Sequence, residues 1–390
     1  MQLTDTQKAI VETVRDFVEK EVIPVADEME HRDEYPEQIV EQMKELGLFG
    51  LTVPEEFGGI GESLTTYALT VVELARGWMS LSGVLNTHFM GCYLINKFGT
   101  DEQRQKYLPK MATGEWRAAL AMSEPEAGSD VQAIRTKAVK DGDEYVVNGQ
   151  KMWLTNGLRS SIVMTLVKTD AETDPPHKGM SMLIVEKEGG VPQPAPGLDV
   201  GKNIEKMGYK GVETTEMTFS DFRLPQSQLL GKEEGQGFRQ VLDGIEIGRV
   251  NVSARAVGLS TRAFEEAIRY SQERKAFGKP ISGHQAIQIH LAEMATTLEA
   301  ARLMLFSAAE KKSAGERSDL EAAMAKLFAS EACHEIVTKS LRVHGGYGYS
   351  KEFTVERLYR DAPFLLIGEG TSEIQKTVIA RRLLERHKIS

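Results

Sequence analysis

Residues 358–376 read Leu-Tyr-Arg-Asp-Ala-Pro-Phe-Leu-Leu-Ile-Gly-Glu-Gly-Thr-Ser-Glu-Ile-Gln-Lys. One carboxylate in this stretch, Glu369, stands between two glycines and follows the apolar run 364–367. Burial beside an apolar wall raises the pKa of a carboxylate, and a raised pKa suits a general base that works near neutral pH. The same residues also fit an ordinary glycine-flanked loop with a solvated glutamate.

A helix is expected to begin just after this carboxylate, because Ser372 and Gln375 have the spacing of a capping box. Residues 367–375 read Ile-Gly-Glu-Gly-Thr-Ser-Glu-Ile-Gln, and Val-Ile-Ala-Arg follows at 378–381. This sequence resembles the catalytic segment of acyl-CoA dehydrogenases. In that family the corresponding glutamate removes the α-proton of an acyl-CoA thioester. The resemblance therefore implies that Glu369 is the catalytic base.

The composition is that of a globular protein of two or three domains, with 390 residues, 41% of them hydrophobic and 27% charged. The net charge of −10 argues against a nucleic-acid-binding surface. The two cysteines, Cys92 and Cys333, have no CxxC spacing, which fits a reducing compartment. No apolar run approaches the roughly 20 residues that span a bilayer, and no basic leader is present. We expect a cytoplasmic, bacterial protein without membrane insertion.

Hydrophobic periodicity divides the chain into three parts. Residues 1–115 repeat apolar positions at helical spacing, 116–230 carry short strand patterns between turns, and 231–390 are helical again. The predicted fold class is α+β, with an N-terminal all-α domain, a middle antiparallel β domain and a C-terminal four-helix bundle. This order is also the layout of acyl-CoA dehydrogenases, so the resemblance covers essentially the whole chain.

Within the middle domain, 144–147 and 150–154 are predicted to form a β-hairpin with Asn148-Gly149 as its two-residue turn. Further strands are predicted at 162–167, 180–185 and 216–219. In the last domain, helices are predicted from 237 onward, around 287–305, around 320–341 and at 372–384.

Several common site motifs are missing from the sequence. It contains no GxGxxG, no Walker A and no GxSxG pattern. The segment 334–338 approaches HExxH, but Thr338 stands where the second ligand belongs, so no metal site is predicted.

The segment 122–130, Met-Ser-Glu-Pro-Glu-Ala-Gly-Ser-Asp, reads as a loop that exposes small residues and hydroxyls. It resembles the flavin and substrate loop of the family. The resemblance implies that Ser123 bonds the flavin ring, that Gly128 and Ser129 approach the CoA side, and that Ser129 also contacts the cofactor. Glu126 stands where the family usually has glycine, which puts the local turn in question.

The segment 152–157, Met-Trp-Leu-Thr-Asn-Gly, is similar to the second flavin segment of the family. The resemblance implies that Trp153 covers the isoalloxazine and that Thr155 bonds its edge. A tryptophan in a β domain is otherwise a common core residue. Thr371, next to the base, completes the cofactor contacts expected in this region.

A basic cluster, Arg-Lys-Ala-Phe-Gly-Lys at 274–279, ends a predicted helix. Arginine can bind a pyrophosphate through two parallel hydrogen bonds, although positive charge at a helix C-terminus is also favourable without a ligand. In the family this motif contacts the FAD pyrophosphate of the neighbouring subunit. The resemblance implies this role for Arg274, Phe277 and Gln285, and hence a homo-oligomer.

The segment His-Gly-Gly-Tyr-Gly at 344–348 resembles the family's segment over the adenosine-pyrophosphate part of FAD. Gly345 and Gly346 are the contacts it implies. Arg342 stands where many members carry glutamine, so that contact is uncertain.

The substrate contacts implied by the resemblance surround the base. Some members place the catalytic glutamate just before the arginine of the long helix, but Gly248 occupies that position here. Most members with a base at position 369 have an aromatic residue before it, and Gly368 replaces that ring. We therefore expect a roomier pocket beside the reacting carbons. The implied substrate-binding residues are Gly128, Ser129, Phe238, Arg249, Gly368 and Gly370.

The implied reaction is FAD-dependent α,β-dehydrogenation of an acyl-CoA to trans-2-enoyl-CoA. The expected substrate is short-to-medium or branched. The expected electron acceptor is an electron-transfer flavoprotein, and the expected assembly is a tetramer built as a dimer of dimers. The alternatives are an acyl-CoA oxidase, a flavin-binding relative with a DNA-binding or damage-response role, and a structural protein without cofactor.

Overall fold

The computed structural model describes residues 3–389, and its first part is helical. Six α-helices precede the sheet, with the π-helical segment Val18–Val22 between the first two: α1 Asp5–Phe17, α2 Ile23–His31, α3 Glu37–Glu45, α4 Leu64–Gly77, α5 Met79–Phe98 and α6 Asp101–Ala112. Of these, α5 is the longest, and most of its side chains are buried. It therefore presents its polar residues to the interior of the protein and not to solvent.

A seven-stranded sheet follows. Its strands are β1 Ala118–Ala121, β2 Lys137–Asp141, β3 Glu144–Thr155, β4 Ile162–Lys168, β5 Met180–Glu186, β6 Leu198–Val200 and β7 Thr214–Pro225. The strand order is β1-β4-β2-β3-β7-β6, and β5 pairs with β4. The strands predicted at 162–167, 180–185 and 216–219 are confirmed as parts of β4, β5 and β7.

The sheet is mixed and not wholly antiparallel, because β1 and β2 both run parallel to β4. The predicted hairpin turn at Asn148-Gly149 is wrong, since β3 continues through it with an irregular register against β7. Gly149 has a φ of +146°, and a Cβ there would lie 2.5 Å from Thr136 Oγ1. The glycine thus permits a β-bulge and a close strand approach. The actual hairpin joins β2 to β3 through residues 142–143.

Five helices form the last part: α7 Gly237–Glu273, α8 Gln285–Ser313, α9 Asp319–His344, α10 Val355–Ile367 and α11 Ser372–Arg386. A short ladder, β8 Lys275–Ala276 with β9 Lys279–Pro280, separates α7 from α8. The overall class of helical, sheet and helical domains is confirmed. The sequence analysis missed α10, whose buried Leu358, Ala362 and Leu365 recur at helical spacing despite Pro363.

The last helix begins at Ser372 as predicted, but its N-cap lies one residue before the predicted capping box. The N-cap is Thr371, whose side chain accepts a hydrogen bond from the Ile374 amide. Ser372 is the first helical residue, and Gln375 turns to the preceding loop and not to the N-cap amide. The predicted capping box is therefore wrong in its detail.

Two buried carboxylates join the three parts. Glu30, on α2, accepts hydrogen bonds from the Trp78 indole at 2.8 Å and from the backbone amides of Lys210 and Gly211. Asp361, on α10, accepts from the Tyr209 amide at 2.7 Å. Burial, followed by the nearby Glu30, raises the pKa of Asp361 to about 8. The segment after β6 is thus fixed between the two helical parts.

Among residues 3–389, no helix is both long and apolar enough to cross a membrane. The same residues bring together no group of three side chains suited to a metal ion.

We predict that Glu30→Ala lowers the free energy of unfolding by about 3 kcal/mol, because it leaves buried N–H donors without an acceptor. Urea unfolding measures this. Glu28→Ala is the matched control on the same helix, since Glu28 is solvent-exposed and pairs only with Arg32. We expect the control to change stability by less than about 1 kcal/mol. Equal effects of the two variants would contradict the role given to Glu30.

Candidate active site

The Glu369 carboxylate lies where the loop after α10 meets α5 and α7. Asn86 of α5 donates from Nδ2 to Glu369 Oε1 at 3.0 Å. A Cβ on Gly248 of α7 would lie 2.7 Å from Glu369 Oε2, so only glycine lets the carboxylate approach this helix so closely. Gly248 is therefore part of the site because it lacks a side chain.

The backbone that carries this carboxylate is strained and held from behind. Glu369 has a φ of +56° and Gly370 a φ of +89°, so both occupy the left-handed region. This conformation is costly for a residue with a Cβ and persists only where the surroundings impose it. Two buried side chains hold the turn here. Lys326 Nζ donates to the Gly370 carbonyl at 2.8 Å, and Gln375 Nε2 donates to the carbonyls of Glu369 and Gly370.

Burial is the main cause that raises the pKa of Glu369 above its ordinary value. The hydrogen bond from Asn86 opposes this, and so do the positive charges of Arg255, Arg249 and Lys326. Within the described residues these three buried cations make no ion pair with a carboxylate. Burial also lowers the pKa of Lys326 to about 8. The site combines a base of raised pKa with an excess of positive charge.

One face of α7 lines the deep side of the site. Asn251 donates to the Tyr67 hydroxyl at 2.7 Å, and Arg255 donates from Nη1 to the Tyr209 hydroxyl at 3.1 Å. These residues follow Gly248 at helical spacing, and at 1.5 Å per residue Arg255 lies roughly 10 Å along the axis. All four side chains are at most 2% exposed. These residues therefore form a buried polar layer along α7 from Gly248 onward.

The two segments expected to bind flavin lie side by side. The Met152 amide donates to the Ser123 carbonyl at 2.9 Å, which places Ser123 beside the strand that carries Trp153 and Thr155. Trp153 is 56% exposed and has a φ of +66°. A large aromatic side chain that is both exposed and strained in its backbone indicates a ligand contact and not a core role.

The loop 122–130, which follows β1, is fixed by a buried ion pair. Glu124 accepts from Lys151 at 2.9 Å, and also from the amides of Arg135 and Thr136. Glu126 is exposed, lacks a positive φ and leaves the turn intact, because residues 124 and 127 exchange backbone hydrogen bonds around it. The departure at Glu126 therefore does not disturb the turn. Gly128 and Ser129 are exposed on the same loop.

A second cleft, of 760 Å³, gathers most of the residues expected at the pyrophosphate and adenosine. Arg274, Phe277, Gly345 and Gly346 line it. Phe277 is 94% exposed with a φ of +51°, and its ring projects from a turn with an edge-on contact to His284, the centroids 5.8 Å apart. Gln285 begins α8 beside the lining residues.

The remaining predicted residues are distributed around the loops. Phe238, at the start of α7, packs with Met122 and Val131 against one core cluster, so it lies on the side of the flavin loop. Thr371 caps α11 directly after the base. Arg249 is buried on α7 next to Gly248. Arg342 is exposed near the end of α9.

One expectation about the substrate pocket is wrong. Gly368 does not leave open space, because a Cβ there would lie 2.8 Å from Phe364 Cζ. The ring of Phe364 occupies the volume that the missing side chain was expected to leave free. The cause is α10, which places residue 364 one turn before residue 368.

The chain belongs to the acyl-CoA dehydrogenase family. Family models for the N-terminal, middle and C-terminal domains of acyl-CoA dehydrogenase match residues 4–115, 119–222 and 235–384. The chain is 40% identical over 385 residues to an acyl-CoA dehydrogenase of Bacillus subtilis (strain 168), which covers 98% of this chain and 99% of that protein.

Solved structures agree with this assignment. Butyryl-CoA dehydrogenase from Megasphaera elsdenii superposes with a TM-score of 0.94 and 34% identity, over 98% of this chain and 99% of that one. A chain from the structural study of the electron transferring flavoprotein of Acidaminococcus fermentans superposes with a TM-score of 0.94 and 36% identity, over 98% of this chain and 99% of that one. The protein is thus an oxidoreductase of this type.

FAD is the cofactor of this family, and the prediction of FAD is confirmed. The residues present fit such a group. Trp153 offers an exposed, flat aromatic surface next to the Ser123 segment. The second cleft supplies a guanidinium and two glycines, and no atom outside their chain neighbours lies within 4 Å of where their Cβ atoms would be. An aromatic face suits a heterocycle, and a guanidinium suits a pyrophosphate.

Sequence reasoning missed Asn86, Lys326 and Gln375, which hold the base and its loop. It also missed Tyr209, Arg255 and Phe364, which pack together near it. A signal was present for some of them. A buried helix pattern that contains an amide or a lysine at an apolar position, as at Asn86 and Lys326, requires a polar partner inside the protein.

We predict that Asn86→Leu raises the pKa of Glu369 further, because it removes a hydrogen bond to the ionised carboxylate. The base acts when ionised, so the acid limb of the kcat/KM profile should move to higher pH. Asn96→Leu, on the same helix and partly exposed, is the control and should leave the profile unchanged. An unmoved acid limb in the Asn86 variant would contradict the assignment.

We predict that Trp153→Gly gives an apoprotein about 1 kcal/mol more stable than Trp153→Ala, since glycine adopts the left-handed conformation without a Cβ penalty. Both variants should retain less flavin. Denaturant unfolding and flavin absorbance measure the two effects. Equal stability of the two variants would show that the backbone at position 153 is not strained.

Proposed function

We propose that the protein oxidises a short acyl-CoA thioester to its trans-2-enoyl-CoA, with Glu369 as the base that removes the α-proton. The observation that supports this most strongly is the Glu369 carboxylate itself. It is fixed by Asn86, pressed against Gly248 and carried on a turn that Lys326 and Gln375 hold. A strained carboxylate with a raised pKa, close to cations that form no ion pair within the described residues, is typical of a functional site.

The proposed chemistry assigns each group a task. Glu369 takes the α-proton on its carboxylate. The surrounding positive charges of Arg249, Arg255 and Lys326 favour the negative charge that develops on the thioester oxygen as the proton leaves. Bound FAD supplies the acceptor for the hydride from the β-carbon. Trp153, Ser123 and Thr155 are the residues proposed to hold the flavin ring.

The closed end of the site supports a short acyl group. Tyr67, Tyr209 and Arg255 are almost fully buried beyond the base, and Tyr67 stacks on Phe89 with ring centroids 3.9 Å apart. A long alkyl chain would have to displace these rings. Butyryl-CoA, named for the Megasphaera relative, has the length that such a site would accept.

We further propose that electrons pass to an electron-transfer flavoprotein and that the protein works as a homotetramer. The similarity to a chain studied with an electron transferring flavoprotein supports the first proposal. The second is supported by the exposed Phe277 and by its cleft, whose lining does not include Glu369. Arg274, Phe277, Gln285, Gly345 and Gly346 would then serve a partner subunit's cofactor.

We predict that anaerobic titration with butyryl-CoA bleaches the flavin absorbance of the purified protein. Glu369→Gln should keep its flavin spectrum and lose bleaching by more than about a thousandfold in rate, because the amide cannot accept the proton. Glu373→Gln is the control, an exposed glutamate four residues further on. A flavin that no acyl-CoA bleaches would refute the proposed reaction.

We predict that Arg274→Ala lowers the flavin content of the purified protein several-fold, because it removes a positive charge from the second cleft. Arg269→Ala, five residues earlier near the end of α7 and exposed, should retain full flavin. Flavin absorbance per chain, with size-exclusion chromatography of each variant, measures this. Full flavin in the Arg274 variant would argue against a cofactor role for the cleft.

A further inference from the structure

The ring of Phe364 covers the residue that precedes the base. A Cβ at Gly368 would lie 2.8 Å from Phe364 Cζ and within 3.3 Å of both Cε atoms. The Gly368 amide donates to the Phe364 carbonyl at 2.9 Å, as the last bond of α10. Gly368 itself has an ordinary extended backbone, with φ −62° and ψ 147°. The glycine is thus required by the ring above it and not by its own backbone.

Tyr209 and Arg255 hold the Phe364 ring in position. Phe364 stacks on Tyr209 with centroids 4.5 Å apart and an interplanar angle of 21°. The Arg255 guanidinium lies 5.4 Å from the Tyr209 centroid and 5.8 Å from that of Phe364, within the range of a cation–π interaction. The Tyr209 amide is bonded to the buried Asp361.

The residues of this stack differ in solvent exposure. Tyr209 and Arg255 are 2% and 1% exposed, whereas Phe364, Gly368 and Glu369 are all only partly buried. One side of the ring is therefore held by buried side chains, and the ring keeps an accessible part next to Gly368, the residue that precedes the base. An accessible, immobile aromatic ring next to a reacting group limits the size of what can enter.

We propose that Phe364 is a specificity-determining residue: its ring, held by Tyr209 and Arg255, restricts the enzyme to acyl groups unbranched at the α- and β-carbons. This inference rests on the proposed function and deepens it by naming the substrate class. A branch methyl would compete with the ring for the same volume, and one methyl group in a fixed pocket changes kcat/KM by about 10- to 200-fold.

The test compares kcat/KM for butyryl-CoA, isobutyryl-CoA and isovaleryl-CoA. Wild type should prefer butyryl-CoA to both branched thioesters. Phe364→Ala should raise the branched-to-straight ratio by about tenfold or more. Phe364→Leu, which keeps more of the packing, should shift the ratio in the same direction by less. Phe328→Ala, a partly exposed phenylalanine on α9, is the control for loss of an aromatic ring and should leave the ratio unchanged.

A second pair of variants tests the contact itself. Gly368→Phe should lower the melting temperature and the activity on every acyl-CoA, because its Cβ meets the Phe364 ring. Combined with Phe364→Ala, the same substitution should recover stability and restore the preference for butyryl-CoA, which gives a non-additive cycle.

The outcomes separate this inference from the proposed function. If no acyl-CoA bleaches the wild-type flavin, the proposed function fails. If butyryl-CoA is oxidised but wild type prefers a branched thioester, the inference fails alone. It also fails if the Phe364 variants remain active with an unchanged ratio, because the ring would then be structural only.

Discussion

The left-handed turn at Glu369 and Gly370 is the constraint on which the rest of the site depends. Gly370 adopts this conformation freely, but Glu369 would not hold it alone, since a Cβ in the left-handed region costs energy. Lys326 and Gln375 hold the turn from α9 and α11, while Asn86 and Gly248 define where its carboxylate lies on α5 and α7. Four helices far apart in the sequence are thus needed to place one side chain.

Two buried carboxylates, Glu30 and Asp361, connect the site to the rest of the protein. Glu30 and Asp361 fix the segment that bears Tyr209, and Tyr209 in turn supports Arg255 and Phe364 beside the base. Each of these polar groups would destabilise the fold if its partner were missing. The middle domain is therefore held to both helical parts by the interactions that shape the site. Stability and site geometry rest on shared contacts, so variants in this network should be interpreted with both in view.

Much of this was predictable from the sequence, and the failures have physical causes. Hydrophobic periodicity predicted the three-part order, because it is a local signal, and the resemblance of 367–375 to a family segment singled out Glu369 as the proposed base. Asn148-Gly149 has the composition of a hairpin turn, but strand pairing with β7 turns it into a bulge. Gly368 suggested a gap because the sequence does not show that α10 brings Phe364 over it. Asn86 and Lys326 were missed because their partners lie far away in the chain and are defined only by tertiary packing.

The central claim, that Glu369 is the base of the reaction, can be tested without oxidation of any substrate. Methylthioacetyl-CoA has α-protons but a sulfur atom in place of the β-carbon, so it can lose a proton and cannot lose a hydride. We would follow exchange of its α-protons for deuterium in D₂O by NMR, with the flavin-loaded protein. The account predicts exchange with wild type and its loss in Glu369→Gln. Exchange that persists at the wild-type rate in that variant would show that another group is the base.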